Sequence, residues 1–271
     1  MNTEIFYFSG TGNSLFAARE IAKQIPESRL TPIIKLLNQK TVTSKAEVMG
    51  IVFPIHLTTI PLPVEKFLSL FDFSTVKYIF ILATRMGTTH RVFTDINKIL
   101  QKKNRFTDAC FTLNMGNNDA KFKISRQPVT DEKIKKLETD ARKKLETIIE
   151  IIKNKKQCQK PDTEVIQKIP LFFLGIIPFL LKITERFNLS ETFYADDKCI
   201  TCRNCERICL SGKITMAEQK PSWQKNISCY RCYACLNYCP QQAVQIKNTY
   251  TKNNGRYPHP YAEASDIAAQ K

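Results

Sequence analysis

The chain has 271 residues, 43% of them hydrophobic and 10% aromatic, with a formal charge of +16. That composition supports a real core and excludes a disordered chain. The opening Met1–Ser9 has neither the basic cluster nor the long apolar run of a secretory leader, so a cytoplasmic location is expected, where ten cysteines point to metal ligation over disulfides. Much of the positive charge lies in Lys121–Lys160, where 13 Lys/Arg stand against 6 Asp/Glu. It is spread along helical patterns without a nucleic-acid-binding motif, which reads as a solvated surface and argues against nucleic acid as a partner.

In chain order, Glu4–Phe8 is a short apolar strand and Asn13–Gln24 an amphipathic helix, followed by a weak second strand at Thr31–Ile34. Val48–Phe53, Lys77–Ala83 and Ala109–Leu113 are further strands, with helical stretches around Pro61–Leu70 and Val92–Gln101 between them. A long helix is expected from Asp131 to Ile152, its apolar residues recurring at three- and four-residue steps. Strands apolar on both faces and separated by helices predict an α/β domain, a doubly wound five-stranded parallel sheet over residues 1–153. A basic, then apolar linker follows at 154–190. Its apolar stretch Ile169–Ile183 is shorter than the ~20 residues of a spanning helix and contains Pro178. It reads as a bridge packing one domain on another, with contact at a membrane surface as the less favoured alternative. Residues 191–247 form a small cysteine-rich α+β domain, and the polar tail 248–271 is expected to fray.

Directly after the first strand comes Ser9-Gly10-Thr11-Gly12-Asn13-Ser14, which opens the first helix. Glycines and small hydroxylated residues at a helix start let several N–H groups face one anion, and a phosphate fits there. The run is neither G-x-G-x-x-G nor a P-loop, so a mononucleotide is favoured over a dinucleotide or ATP.

The most specific signal is the cysteine spacing. Cys199, Cys202, Cys205 and Cys209 repeat as Cys229, Cys232, Cys235 and Cys239, all four shifted by 30 residues. Three cysteines two apart wrap three corners of a cubane, and the fourth of the run points to the other cluster. This assigns Cys199, Cys202, Cys205 and Cys239 to one [4Fe-4S] cluster, and Cys229, Cys232, Cys235 and Cys209 to the second. A pair of zinc sites is the alternative, but zinc gives no reason for a third and a fourth cysteine in each run.

Phe193–Lys247, with these runs, resembles two-cluster bacterial ferredoxins. Leu210 stands where that family usually has proline, and Arg203 and Tyr233 where a glycine often follows the second cysteine. The Ser9–Ser14 loop resembles the FMN phosphate loop of flavodoxins, Ser/Thr-x-Thr-Gly-x-Ser/Thr. The order of the two parts is similar to that of a family of bacterial and archaeal flavodoxin–ferredoxin fusion proteins. The resemblance implies FMN and two [4Fe-4S] clusters on one chain, electron transfer between them, and redox partner proteins. FMN would lie outside the carboxyl ends of the strands. That selects Pro54 and His56 after the third strand, and Thr84, Arg85 and Gly87 after the fourth; neither loop carries Trp or Tyr. A ferredoxin-type carrier without flavin, and an iron–sulfur redox sensor, are the alternative functions.

Overall fold

The computed structural model describes residues 2–56, 59–86, 92–121, 123, 131–159 and 192–271. Gly87 and the stretch Ile169–Ile183 lie outside these described residues.

Five parallel strands make the main sheet: β1 (Thr3–Tyr7), β2 (Ser28–Pro32), β3 (Val48–Pro54), β4 (Tyr78–Arg85) and β5 (Ala109–Asn114). Their order is β2-β1-β3-β4-β5, which is the flavodoxin-like doubly wound arrangement, with its switch point between β1 and β3. Every residue of β1 and β4 is buried, because helices cover both faces. Alternation along the strands divides the core. Ile5, Tyr7, Val48, Phe80 and Leu82 pack with α1 (Asn13–Gln24) and α4 (Asp131–Lys153) on one face. Phe6, Phe8, Met49, Ile51 and Ile79 pack on the other face with α2 (Leu62–Leu70) and α3 (Val92–Gln101).

The second strand begins three residues earlier than the apolar pattern suggests, at Ser28. Ile33 and Ile34, read as strand, instead turn into a short 3-10 helix that buries Ile33 under the sheet. What fixes β2 is polar. Glu4 is buried on β1, and its carboxylate accepts from Arg29 at 2.6 Å, Thr31 at 2.5 Å and Ser44 at 2.5 Å. A buried carboxylate needs such donors, and two of them come from β2. Cys158, at the start of the basic linker, is half-buried beside β5: Cys110 N–H donates to its carbonyl at 2.8 Å.

The cysteine-rich segment carries two short helices, α5 (Asn204–Arg207) and α6 (Ala234–Asn237). It adds an antiparallel pair of β6 (Phe193–Ala195) with β9 (Val244–Ile246), and a hairpin of β7 (Ile214–Ala217) with β8 (Lys220–Trp223). Its own small core gathers Phe193, Ile214, Leu236, Val244 and Ile246, with Trp223 stacked on Phe193 at 5.8 Å. The duplication shows in the backbone. Thr201 and Arg203 have φ of 57° and 61°, and Arg231 and Tyr233, thirty residues on, have 50° and 53°. The turns that glycine would ease are therefore made without it.

The tail does not fray. Tyr257, His259, Ala262, Ile267 and Gln270 are buried, and α7 (Ala264–Ala268) is closed by a capping box of Glu263 and Asp266. Ile267, together with Ile208, Leu210 and Ala234 of the cysteine-rich segment, joins the core on the α2/α3 face of the sheet.

Candidate functional site

The loop after β1 is held in a tight, buried form. Gly12 has φ of 97°, a left-handed conformation that costs a residue with a Cβ about 1–2 kcal/mol. A Cβ there would also stand 2.5 Å from that of Ala262 and 2.7 Å from that of His259. Gly10 is required by proximity alone, since a Cβ on it would meet the Cys232 carbonyl oxygen at 2.1 Å. Ser9 Oγ accepts from Gly12 N–H at 3.2 Å, and the Ser14 and Thr84 hydroxyls are 2.8 Å apart, tying the loop to the end of β4. Asn118 donates to the Thr11 hydroxyl. Asn13 Nδ2 donates to the Gly116 carbonyl at 3.0 Å, and its buried Oδ1 has no partner among the described residues.

The main chain of this loop has donors to spare. The first N–H groups of any helix lack an intrahelical acceptor. Among the described residues, no acceptor is found for the N–H groups of Gly10, Thr11, Asn13, Ser14 and Leu15. Residues Ser9 to Leu15 are all buried, so solvent offers little compensation. Unsatisfied N–H groups gathered at the start of a 12-residue helix suit an anion. The orphaned Asn13 Oδ1 suits a hydroxyl donor beside it. A ligand joining a phosphate to a polyol chain, as FMN does, matches this donor and acceptor set.

The tail closes over the same loop. Gln270 grips Ser9 twice, accepting its N–H at 3.0 Å and donating Nε2–H to its carbonyl at 2.7 Å. His259 N–H donates to the Thr11 carbonyl at 2.8 Å, and the His259 ring stacks on Phe16 at 4.5 Å. Arg19 on α1 pairs with Asp266 on α7 at 2.5 Å, which holds the Asp266 carboxyl below its usual range. The sequence shows no partner for His259, and the tail was expected to fray. The only local sign was an aromatic and proline run, Tyr257-Pro258-His259-Pro260-Tyr261, inside an otherwise polar segment.

Two further expected residues lie at the strand ends. Arg85 is buried at the end of β4, where its Nε donates to Asn114 Oδ1 at 2.9 Å. His56 is half-buried after β3, lies edge-on to Phe8 at 5.9 Å and bonds the Tyr230 backbone. Burial, then the positive charges of Lys121 and Arg231, push its pKa down to about 4, so it is neutral at pH 7. Pro54 and Thr84 face each other in register on β3 and β4.

The cysteines fall into two sets. Cys199, Cys202, Cys205 and Cys239 line one cavity, with Met216, Pro221 and Val244. Burial pushes the Cys205 thiol up to about 11, and Cys239, Cys202 and Cys199 add to the rise. In the second set, burial first, then Cys229 and Cys209, raise the Cys232 thiol; Cys235 is raised by burial and by Cys232, Cys229 and Cys209. The fourth cysteine of each run thus acts electrostatically on the triplet of the other. N–H groups of Arg231 and Ala243 reach the sulfurs of Cys229 at 3.4 Å and Cys239 at 3.2 Å. Among the described residues, no three His, Cys, Asp or Glu side chains converge on one ion-sized centre. The four soft sulfurs around the first cavity, drawn from both runs, fit a multi-atom cluster whose iron atoms each take one thiolate, and the second set has the same make-up.

The two sets differ in setting. The second packs on the sheet domain: Cys232 touches Gly10, Tyr230 lies on Phe8 at 6.4 Å, and Lys121 donates to Tyr233 Oη at 2.6 Å. The first faces outward, with Cys202 exposed and Ile200 beside it 60% exposed.

No family model matches the chain. An uncharacterized protein of Methanocaldococcus jannaschii is 32% identical over 88 residues, so the match takes in 31% of this chain and spans only 33% of that relative's length. Among solved structures, a flavoprotein in complex with FMN from Lactobacillus acidophilus shares 13% identity over 41% of this chain and 92% of its own, with a TM-score of 0.34. A flavodoxin from the domain Archaea covers 55% of this chain and 99% of its own at 14% identity, with a TM-score of 0.32. An azoreductase from Bacillus anthracis covers the same shares at 12% identity and a TM-score of 0.35. The fold class of the sheet domain rests on its strand order. Among the described residues, no helix is long and apolar enough to cross a membrane.

Proposed function

We propose that this chain is a flavo-iron–sulfur electron-transfer protein. FMN is held through its phosphate by the Ser9–Ser14 loop. One [4Fe-4S] cluster is held by Cys199, Cys202, Cys205 and Cys239, and a second by Cys229, Cys232, Cys235 and Cys209. The observation that carries the reading is the contact of Gly10 with Cys232, where a single added carbon would overlap the Cys232 main chain. The loop suited to a phosphate and the cysteine run suited to a cluster are adjacent chain segments, so electrons need not leave the molecule to pass between the two sites. When bound, the flavin takes two electrons together and releases them singly, while each cluster passes one.

The protein's part is to bind, neutralise and exclude water. Unsatisfied N–H groups of the loop bind the phosphate. Thiols whose pKa burial has raised stay protonated in the apoprotein, and become thiolates only when a metal takes the charge. Buried Lys121, which bonds Tyr233, and Arg231, within the second cysteine run, offset the negative charge of a thiolate-bound cluster. The outward set is the natural port for an external redox protein, because Cys202 is the exposed member.

The test is cofactor analysis of full-length protein purified and reconstituted without oxygen. The reading expects about eight iron and eight sulfide per chain, from two four-iron clusters, and FMN released on heating. Zinc in place of iron would overturn the cluster assignment. A second reading has its own support, since Gln270 and His259 already satisfy the main chain of Ser9 and Thr11. In that reading the loop is sealed by the tail, and the chain is a ferredoxin-type carrier. Iron–sulfur protein that takes up no FMN when it is offered would establish it.

A further inference from the structure

Buried polar atoms almost always find a partner. Beside the loop, His259 Nε2 finds none among the described residues, although the residue is 1% exposed. The tautomer follows from the other nitrogen. Tyr261 N–H donates to Nδ1 at 3.3 Å, so Nδ1 carries no proton. The ring is neutral, its pKa pushed down to about 4 by burial and then by Arg142. Nε2 therefore carries a hydrogen with no acceptor. Its ring lies on Phe16 in the first turn of α1, and its backbone is fixed to Thr11. The unused donors of Thr11, Asn13, Ser14 and Leu15 lie in the loop and the first turn of α1.

We infer that His259 is a phosphate-binding residue, its Nε2–H completing the anion site that the Ser9–Ser14 loop begins. The tail is then a second wall of the cofactor site, contributed from some 245 residues further along the chain than the loop itself. A neutral imidazole donates without adding charge, and Phe16 and the Thr11 carbonyl hold it in place. The inference rests on the reading of the loop as an FMN site and adds a residue to it.

The test is a fluorescence titration of anaerobically reconstituted full-length protein with two probes, FMN and riboflavin, which differ only in the phosphate. Histidine 259 is replaced in two ways. His259→Phe keeps the ring on Phe16 and removes the donor, whereas His259→Gln restores a donor near the place of Nε2. A hydrogen bond to a charged group predicts that His259→Phe weakens FMN about 10- to 100-fold and leaves riboflavin unchanged, with most of the FMN preference returning in His259→Gln. Equal weakening for both flavins, or unchanged FMN affinity in His259→Phe, would assign the ring to packing and overturn the inference while the FMN reading stands. Wild-type protein that binds neither flavin would overturn both.

Discussion

Substituting Gly10 with alanine tests the contact on which the functional reading depends. The new Cβ would stand 2.1 Å from the Cys232 carbonyl oxygen, 2.6 Å from its Cβ and 2.8 Å from its carbonyl carbon. Ordinary contact begins at 3.4 Å, so the two segments must part by about 1.3 Å, the gap between 2.1 and 3.4 Å. No flexible side-chain end is available to yield, because two of the three atoms are main chain and the third is fixed to it. Overpacking of this kind costs about 1–3 kcal/mol, and a main-chain clash belongs at the upper end. At ~2–4 °C per kcal/mol for a chain near this size, the melting temperature of reconstituted protein should fall by about 4–10 °C. Gly212→Ala is the control. Its φ is 70° but nothing lies within 4 Å of the added carbon, so only the conformational cost of about 1–2 kcal/mol applies. A differential scan should therefore rank wild type above Gly212→Ala and that above Gly10→Ala. Gly10→Ala melting within roughly 1 °C of wild type would mean that the cysteine run does not rest on the loop in solution, given the size of the expected shift.

Ligand crossing predicts a pattern in iron content after anaerobic reconstitution. Cys205→Ala combined with Cys239→Ala should lose no more iron than either alone, whereas Cys205→Ala combined with Cys235→Ala should empty both sites. Gln270→Ala leaves two buried groups of Ser9 without partners and should cost about 1–3 kcal/mol in denaturant unfolding, with hydrogen exchange at the loop rising most. Acid should lower the stability of the fold in two stages. His259 and His56 both titrate near 4 when folded and near 6.5 when unfolded, so the unfolded chain binds more protons between those values and stability falls as pH drops from about 6.5 toward 4. Asp266, depressed by Arg19, then withdraws its contribution as pH falls through and below the ordinary carboxylate value of 3.8. Thermal melts across this range should show the first slope reduced in His259→Phe, and an unchanged slope would remove His259 from the account.

How much of this could be read from the residues depended on how local the cause was. β3 and β4 announce themselves because burial on both faces demands unbroken apolar runs, and α4 because one buried stripe demands a 3.6-residue repeat. The Ser9–Ser14 loop and the cysteine runs stand out in the sequence for a similar reason, since each gathers its distinctive residues into a few adjacent positions. The second strand was displaced because its stability comes from Glu4 and three partners scattered as far as Ser44, which no apolar pattern records. The tail was misjudged for the same reason in stronger form. Its order comes from single residues such as Gln270, Asp266 and Ile267, each meeting a partner in the sheet domain or its core. The left-handed turns at Arg203 and Tyr233 carry no glycine to mark them. Tyr233 uses its ring against Phe193 and Lys121, contacts glycine could not make.

The clasp of Gln270 on Ser9 joins positions 261 apart. During synthesis the sheet domain emerges first, and its first strand and helix could form early. The turn between them nevertheless stays unfinished until residue 270 has been made, and the cysteine-bearing segment must already have been laid down on the way. A nascent chain therefore cannot finish the turn after β1 before both cysteine runs exist, which makes the order of assembly a property of the connectivity.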